Sequence, residues 1–398
     1  MSRRAEPPSS PGRPTRGRCR SAVAAAGRRA EASGAGPGAA SGEAVWLSEA
    51  DVATLVPDRP PRGHKGTFGK LLVVAGSLDF AGAALLVCRA AGRAGAGLVT
   101  LAVPESLQPL FAAKVVEATT MALPEDDVEE VDPEPALARI LDQDHDALVV
   151  GPGLRPGLAT TELVRLLLAA TEEPAAVPAV LDAEALRSLA SLDGWWRAVR
   201  RPCVLTPHAG EFARLRAASG RDPSTDGDLN HDDAARIWAA TDAAERWRQV
   251  VVLKGAHTVV AAPVATAGRD ARPARQARAW VAPFANPALA TGGTGDVLAG
   301  TIGALLAQGL EVSAAARLGV YLHGLAGEAV RARLGDAGLL AGDLPDELPL
   351  ARRRLVELRR ESQAAEAAGA TGAGVGDDPS DPGGPRVAGL TRAVEAGG

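Results

Sequence analysis

The sequence predicts an α/β fold in which a mostly parallel sheet is covered by helices on both faces. Short apolar runs alternate along the chain with segments of helical periodicity. The runs are apolar throughout, which is typical of strands buried on both faces of a parallel sheet. Polar or glycine-rich segments follow several runs directly, and such sheets bind ligands at the carboxyl ends of their strands. We therefore expect a binding site at one edge of the sheet.

Two sequence patterns predict the individual elements, one for strands and one for helices. A strand is predicted where a short apolar run is bounded by turn residues, and a helix where apolar or small residues recur every three or four positions. The predicted strands are 71–75, 98–103, 147–150, 179–181, 203–205, 250–253 and 258–262. The predicted helices are 82–95, 163–170, 183–189, 296–308, 313–334 and 344–360.

The chain of 398 residues is predicted to form one domain with a tail at each end. Residues 1–44 carry eight Arg and three Glu among small residues, without apolar periodicity. This composition favours a disordered tail, although an Arg-rich, acid-poor start also resembles a transit peptide. Residues 362–398 have a similar lack of periodicity. We therefore expect the folded domain over 45–361.

Composition argues against several classes of protein. The net charge of −5 and an aromatic content of 3% do not favour a nucleic-acid binder. The three cysteines are far apart and form no CxxC pair, so they indicate neither a disulfide framework nor a zinc site. No uninterrupted run of 18 apolar residues predicts a membrane span. These observations fit a cytoplasmic protein in a reducing compartment.

The glycine-rich segment 286–296, before the predicted helix 296–308, is the strongest candidate for a site. Exposed backbone N–H groups at a helix N-terminus bind anions, above all phosphate. The segment that would cradle the phosphate is Gly292, Gly293, Thr294 and Gly295. Asp296 would either cap the helix or act as a base toward a hydroxyl that attacks phosphorus. The length and glycine content of the loop favour the base.

Two further polar segments follow predicted strands. Lys254, one of only four lysines, ends the strand 250–253 and would hold a nucleotide, or else lie in a turn facing solvent. His208 and Glu211 follow the strand 203–205 and would contact substrate. Alternatively, Thr206 and Glu211 organise the turn and the first turn of the next helix. Two metal ligands are also conceivable there, although metal sites usually have three or four.

Small residues and one carboxylate complete the predicted edge of the sheet. Residues 82–84 would either allow a ligand to approach closely or serve tight helix packing. The Gly-Pro-Gly turn at 151–153 would be a tight turn or the floor for a flat ligand. Asp182 would hold Mg²⁺ through water or cap the helix 183–189, and the cap is the preferred interpretation. His323 and Tyr321 are interpreted as core or interface residues.

Taken together, these segments resemble the ADP-dependent NAD(P)H-hydrate dehydratase family. The resemblance covers about residues 45–350, and its most specific motifs are TPHAGE, KGAHT and NPALATGGTGD in that order. The motifs are HKGTFG, AGS, GLVTLAVPE, GPGL, LDAEAL, LTPHAGEFARL, VVLKGAHT, NPALATGGTGDVLAG and GVYLHGLAGE. The resemblance implies a ribokinase-like fold, a three-layer αβα domain with a mostly parallel central sheet.

The resemblance also implies a reaction. The protein would dehydrate the S epimer of NADHX and NADPHX, and cleavage of ADP to AMP and phosphate would drive the step with Mg²⁺ present. Asp296 would be the base. Residues that would line the hydrate site are Ala83, Gly153, His208 and Asp296, and those that would hold the adenine nucleotide are Lys254, Gly255, Ala256, His257, Thr258 and Gly295.

The resemblance further implies partners. Many relatives carry an epimerase domain ahead of the dehydratase, and the first 44 residues are too short for one. We therefore expect a single-function protein that works with a separate NAD(P)HX epimerase. A homo-oligomer, specifically a tetramer, is also expected.

Two other functions use the same residues. A kinase of the same fold would phosphorylate a thiazole or pyrimidine alcohol with the same GTGD segment and release a phosphorylated product. A protein that binds ADP without turnover would need no base at Asp296. The pair TPHAGE and KGAHT favours the dehydratase over the kinase, and the intact glycine loop argues against an inactive binder.

Overall fold

The computed structural model describes residues 44–170, 177–264 and 277–372. The tail predicted over 1–44 lies outside these ranges except for residue 44, and so does most of the tail predicted over 362–398. Within the described ranges, no helix is long and apolar enough to cross a membrane.

The described residues contain twelve strands, ten of which form one sheet. In chain order they are β1 (Val45–Trp46), β2 (Lys70–Val74), β3 (Leu98–Pro104), β4 (Thr119–Leu123), β5 (Glu125–Asp127), β6 (Glu130–Val131), β7 (Ala147–Val150), β8 (Ala179–Leu181), β9 (Cys203–Leu205), β10 (Val250–Leu253), β11 (Val259–Pro263) and β12 (Ala277–Val281). The sheet order is β1-β12-β11-β10-β9-β8-β7-β2-β3-β4, and β5 and β6 form a separate antiparallel pair. Within this described sheet, β11 alone runs antiparallel to its neighbours.

Eleven α-helices connect these strands within the described ranges. They are α1 (Glu49–Ala53), α2 (Ala81–Ala94), α3 (Gln108–Ala112), α4 (Pro133–Asp142), α5 (Leu158–Ala169), α6 (Glu184–Ala190), α7 (Ala209–Ala218), α8 (Asp233–Trp247), α9 (Thr294–Ala307), α10 (Val312–Leu334) and α11 (Leu344–Gly372). Short 3₁₀ turns complete several of the connections, for example Lys65–Phe68 before β2.

The sheet separates two apolar cores, which makes the domain a three-layer αβα sandwich. Successive side chains of a strand point to opposite faces. In β2, Leu71 and Val73 therefore join one core, and Leu72 and Val74 join the other. The first core is closed mainly by α2, α9, α10 and α11, and the second by α4, α5, α6, α7 and α8. This confirms the predicted fold class, with a mostly parallel sheet covered on both faces.

Most predicted elements are confirmed, with differences at their ends. Strands 147–150, 179–181, 203–205 and 250–253 have the predicted bounds. The helix predicted over 163–170 begins earlier, at Leu158, and the last helix continues from the predicted 360 to Gly372. The first turns of the segment predicted to be a C-terminal tail are therefore helical. The strands β1, β4 and β12 and the helices α4 and α8 were not predicted.

Candidate functional site

Five neighbouring parallel strands end at the same edge of the sheet, as the sequence predicts. Their order is β10-β9-β8-β7-β2, and the residues just beyond their carboxyl ends include Gly151, Asp182, Thr206 and Lys254. Pairing between β9 and β10 continues past the strand ends, since the Lys254 N–H donates to the Pro207 carbonyl at 2.9 Å. This pairing brings the TPHAGE and KGAHT segments side by side.

The glycine loop forms the N-terminus of α9 and lies at this edge. Gly293 is the N-cap residue with φ of 91°, a left-handed conformation that favours glycine. Thr294 Oγ1 donates to the carbonyls of Leu289 and Thr291, at 2.9 and 3.0 Å, and this fixes the loop. The first N–H groups of an α-helix have no intrahelical acceptor, so the loop presents donors at the site. The geometry suits an anion.

Asp296 does not cap α9. It is the third residue of the helix, and no side chain caps the N-terminus. The alternative interpretation of Asp296 as a plain N-cap is therefore wrong. Burial, followed by the negative charge of Asp182, raises the pKa of Asp296 to about 7, while Lys254 acts in the opposite direction. Asp296 is thus a carboxyl that exchanges its proton near neutral pH.

Lys254 lies between two carboxylates, that of Asp182 at the end of β8 and that of Glu211 in the first turn of α7. Its Nζ donates to Asp182 Oδ1 at 2.7 Å and lies 3.9 Å from Glu211 Oε2. Burial disfavours the charged amine, but Asp182 and Glu211 outweigh it and raise the pKa of Lys254. Burial raises the pKa of Glu211. Lys254 is therefore a held cation and not a lysine facing solvent in a turn.

The ion pair lies against the first turn of α9. A Cβ added to Gly295 would be 3.3 Å from Lys254 Nζ and 3.7 Å from Asp182 Oδ2. Glycine at this position lets the helix N-terminus approach the pair closely. The glycine loop and the KGAHT segment that begins with Lys254 therefore lie in close proximity.

The preferred interpretation of Asp182 as a helix cap is wrong. The helix α6 begins at Glu184, its N-cap residue is Ala183, and no side chain caps it. The Asp182 side chain is buried and accepts from Lys254 instead. Ala183 adopts φ of 49°, which is rare for a residue with a side chain and marks backbone strain beside the site. Local sequence cannot reveal this, because the partner of Asp182 is 72 residues away.

His208 and Glu211 organise the turn before α7. His208 Nδ1 accepts from the Gly210 N–H at 3.0 Å, and Glu211 Oε2 accepts from the His208 N–H at 2.9 Å, which forms a capping box. His208 nevertheless keeps a side chain that is 57% exposed at the edge of the sheet. The turn-organising alternative is confirmed for Glu211, and contact between His208 and a substrate stays a prediction.

Ala83 and Gly153 come together at the start of α2, the helix that packs against α9. A Cβ added to Gly153, where φ is 67°, would lie 2.6 Å from the Phe80 carbonyl oxygen and 2.9 Å from the Ala83 Cβ. Ala83 belongs to the first turn of α2, whose Leu86 side chain approaches Gly293. The structure thus brings Ala83 and Gly153 together at the start of a helix that approaches the glycine loop.

A cavity of about 400 Å³ opens beside Lys254. Its lining includes the predicted nucleotide residues Lys254, Gly255, Ala256, Thr258 and Gly295, together with Thr294 of the predicted phosphate loop. Apolar groups of residues that were not predicted, Phe284, Leu289, Leu298 and Val320, form much of the remaining wall. An apolar wall with polar groups at one end suits a flat base attached to phosphates.

Two histidines have surroundings other than those that the sequence predicts. The His257 side chain does not line the cavity, since its Nδ1 lies 2.7 Å from Asp233 Oδ2 and its ring packs edge-on against Trp46. His323, predicted to be a core or interface residue, lines the cavity, and its Nε2 lies 3.0 Å from the Thr294 carbonyl. Burial lowers the pKa of His323 to about 4, so it is neutral at pH 7. Tyr321 is buried, as predicted.

The described carboxylates form no ready-made metal cage. Across residues 44–170, 177–264 and 277–372, no group of three or more His, Cys, Asp or Glu side chains is arranged to hold a metal ion. Asp182 Oδ1 accepts from Lys254, whereas its Oδ2 has no hydrogen bond to a described residue. One free carboxylate oxygen beside a phosphate-binding loop fits Mg²⁺, which is usually bound by one or two carboxylates, waters and substrate phosphates.

Comparison with known proteins gives relatives along most of the chain. The profile of the family described as NAD(P)H-hydrate dehydratase matches residues 71–350. The ADP-dependent (S)-NAD(P)H-hydrate dehydratase of Bacillus subtilis is 33% identical over 311 residues, which cover 78% of this chain and 98% of that protein. A bifunctional NAD(P)H-hydrate repair enzyme of Moorella thermoacetica is 40% identical over 314 residues, which cover 78% of this chain and 54% of that protein. The chain therefore spans about half the length of the bifunctional relatives.

Solved structures give the same result. The ADP/ATP-dependent NAD(P)H-hydrate dehydratase from Bacillus subtilis, co-crystallised with ATP and Mg²⁺, matches with a TM-score of 0.62 and 31% identity, covering 79% of this chain and all of that chain. A ribokinase-like superfamily protein from Enterococcus faecalis matches with a TM-score of 0.60 at 22% identity, covering 78% of this chain and 96% of that one. The fold is thus ribokinase-like, and the chain belongs to the NAD(P)H-hydrate dehydratase family.

Proposed function

We propose that this protein dehydrates the S epimer of NADHX and NADPHX and that it consumes ADP, giving AMP and phosphate. The observation that carries the proposal is the partly buried Asp296, whose pKa is raised to about 7, on a glycine-rich helix N-terminus that lies close to the Lys254–Asp182 pair. A base near neutral pH beside a phosphate cradle suits transfer of a phosphoryl group to a hydroxyl. Family membership supplies the substrate.

The chemistry explains why a dehydration would need a phosphoryl donor. Hydroxide is a poor leaving group at neutral pH, whereas phosphate, with a second pKa near 6, is a much better one. In the proposed first step, the C6 hydroxyl oxygen bonds to the β-phosphorus of ADP and the bond to AMP breaks. In the second step, the lone pair of the ring nitrogen expels phosphate from C6. Loss of the proton on C5 then restores the dihydronicotinamide.

Each part of the site has a role in this proposal. Asp296 takes the proton of the C6 hydroxyl as it attacks phosphorus. The N–H groups of Gly292, Gly293 and Gly295 hold the transferred phosphoryl, and no reorganisation is needed because the helix fixes them. Lys254 is close enough to the same helix turn to neutralise phosphate charge. Asp182 positions Lys254.

The two substrates would lie on opposite sides of the glycine loop. The adenine nucleotide fits the cavity beside Lys254, Gly255, Ala256 and Thr258, with the base against Phe284 and the other apolar wall residues. His257 contributes backbone only, because its side chain binds Asp233. The hydrate would lie against Ala83, Gly153 and the exposed His208. Mg²⁺, held by Asp182 Oδ2 and the phosphates, would offset charge on the donor.

The proposal is tested by absorbance at 340 nm. The protein is mixed with chemically hydrated NADH, Mg²⁺ and either ADP or ATP. A rise in absorbance with ADP is the expected result, and the comparison with ATP identifies the phosphoryl donor. No rise with either nucleotide, together with a Tm raised by ADP, would contradict the dehydratase and favour the kinase or an inactive binder. The homo-oligomer, the separate epimerase and the cytoplasmic location stay predictions.

A further inference from the structure

A groove lined by arginines lies at the end of α2 remote from the glycine loop. Ala83 is in the first turn of α2, whereas Gly92 and Arg93 near its last turn line the groove. Fourteen residues of helix span about 20 Å. The groove has a volume of about 600 Å³ and shares no lining residue with the cavity beside Lys254. Its arginines are Arg59, Arg93, Arg352, Arg353 and Arg360, with Glu357 as the one acidic residue in the lining.

Three of these arginines have no carboxylate partner among the described residues. Arg93 pairs with Asp346 at 3.0 Å, and Arg353 lies 3.6 Å from Glu357. The arginines without such a partner are Arg59, Arg352 and Arg360. Arg352 and Arg360 are eight residues apart on α11, about 80° apart around its axis, and both line the groove. The groove therefore has excess positive charge on one wall.

Two of these guanidinium groups are held in place without being neutralised. Arg59 Nη1 donates to the Gly95 carbonyl at 2.8 Å, and the group stacks 3.8 Å over the Phe68 ring. Arg352 Nη2 donates to the Pro57 carbonyl at 2.5 Å, and its Nε is buried without a partner in the described residues. Burial, then the neighbouring charges of Arg59 and Arg359, lowers the pKa of Arg352. The fold thus holds positively charged arginine side chains close together, although they repel one another.

We propose that this groove is a second anion site, which binds a small oligophosphate through Arg59, Arg352 and Arg360. Guanidinium forks match phosphate oxygens geometrically and form strong charge-assisted hydrogen bonds. The carbonyls at the end of α2 oppose an anion, but Arg59 covers the nearest one, Gly95. The volume admits a chain of two or three phosphates. The nearby acids Asp58 and Asp346 pair with Arg359 and Arg93, outside this group of three.

The test is calorimetric titration of the full chain with inorganic triphosphate and, separately, with ATP. The double variant Arg352→Gln/Arg360→Gln is expected to lose a binding component, or to weaken it at least about tenfold. The matched control is Arg139→Gln/Arg165→Gln, two exposed arginines on the helices α4 and α5. It is expected to bind as the wild type does. Both double variants are expected to keep the second binding component, which arises from phosphate binding at the glycine loop.

The outcomes separate the two sources of phosphate. Loss for both ligands identifies the phosphate chain as the group recognised, and loss for ATP alone identifies a nucleotide. Equal affinities of the two double variants would overturn the proposal. So would equal competition by sulfate at matched ionic strength, since it would show that the basic surface attracts anions without selecting a phosphate chain. The 340 nm assay is independent of this measurement, so failure of the proposed dehydratase would leave its result intact.

Discussion

Opposed electrostatic effects act on the protonation of the Asp296 carboxyl. Burial at the first turn of α9 and the nearby charge of Asp182 favour its protonated form, whereas Lys254 favours the carboxylate. The balance leaves the pKa raised to about 7. A base in this range accepts a proton well and is also present in its active form. Burial and Asp182 therefore set most of the shift, and Lys254 limits it.

The substitution Asp296→Asn is expected to abolish turnover and to leave ADP binding largely intact. Asn keeps the shape of the side chain but cannot accept the hydroxyl proton, and general-base catalysis contributes roughly 10²–10⁴-fold. The measurement is the 340 nm assay beside titration calorimetry with ADP. Loss of binding together with turnover would show that Asp296 has a structural role instead.

Stability measurements on the same variant provide a control for folding. The pKa of Asp296 is raised from 3.8 to about 7, so the native state holds its proton more tightly than the unfolded state does. In the wild type, this contribution to stability is present below pH 4 and is lost as the pH rises through 7. The Asn side chain does not ionise, so Asp296→Asn does not lose this stability as the pH rises. We therefore expect its Tm, relative to wild type, to be higher at pH 8 than at pH 5.

Asp182→Asn is expected to shift the acid limb of the pH–rate profile to lower pH. The substitution removes a negative charge that raises the pKa of Asp296, and it frees Lys254, whose charge lowers that pKa. Both effects favour ionised Asp296. The measurement is kcat between pH 5 and 9, with Asp193→Asn, at an exposed position in the turn after α6, as the control. An unshifted acid limb would contradict the electrostatic coupling, even if kcat fell.

Sequence alone identified the residues with an unusual local context and missed those defined by distant contacts. The glycine loop precedes a predicted helix, and Lys254 and His208 each follow a predicted strand, so their positions at the edge were predictable. His323 lies on a long helix without any local signal, and only packing against Thr294 brings it to the cavity. Asp182 was assigned to its own helix because its partner comes from another strand.

At the scale of elements, the close contact of α2 and α9 connects both halves of the site. Gly300 on α9 faces Val87 on α2, and a Cβ there would lie 2.4 Å from the Val87 carbonyl oxygen. Each helix begins at the site, α2 with the turn of Ala83 and α9 with the glycine loop. Their separation therefore sets how far the proposed hydrate site lies from Asp296.

Gly300→Ala is expected to destabilise the protein by about 1–3 kcal/mol and to lower kcat/KM, because the added methyl group forces the helices apart. Gly92→Ala on α2 is the matched control. An added Cβ there meets nothing within 4 Å, so the substitution is expected to stabilise by about 0.5–1 kcal/mol. Denaturant unfolding of both variants measures the difference. Equal stability of the two variants would show that the close approach is absent in solution.

The predicted elements succeeded where the apolar pattern was strong. The central strands are fully buried runs of Val and Leu, and four of them have the predicted bounds. The helix α8 was missed because its buried face consists mostly of alanines, which give little contrast with the exposed face. The strand β12 was missed because it alternates buried and exposed residues near one side of the sheet. In a sequence rich in alanine and arginine, neither pattern can be distinguished from the residue pattern of a loop.

At the scale of the whole molecule, the last helix closes the fold against its first described elements. Helix α11 contributes Leu355, which is fully buried, to the core beneath α2 and α9. It also holds the first described segment, since Arg359 Nη1 donates to the Val56 carbonyl at 2.7 Å and its Nη2 lies 2.6 Å from Asp58 Oδ1. The core that supports the glycine loop therefore depends on residues beyond position 350, where the family match ends.

Leu355→Ala is expected to cost about 2–5 kcal/mol, because it leaves a cavity in that core. Leu350→Ala on the same helix is the control, since Leu350 is 50% exposed and its truncation is expected to cost less than about 1 kcal/mol. Unfolding in denaturant is followed by circular dichroism and by loss of ADP binding. If α11 belongs to the cooperative unit of the site, Leu355→Ala shifts both transitions equally. If the ADP-binding transition stays in place while circular dichroism shifts, α11 unfolds on its own and the site does not depend on it.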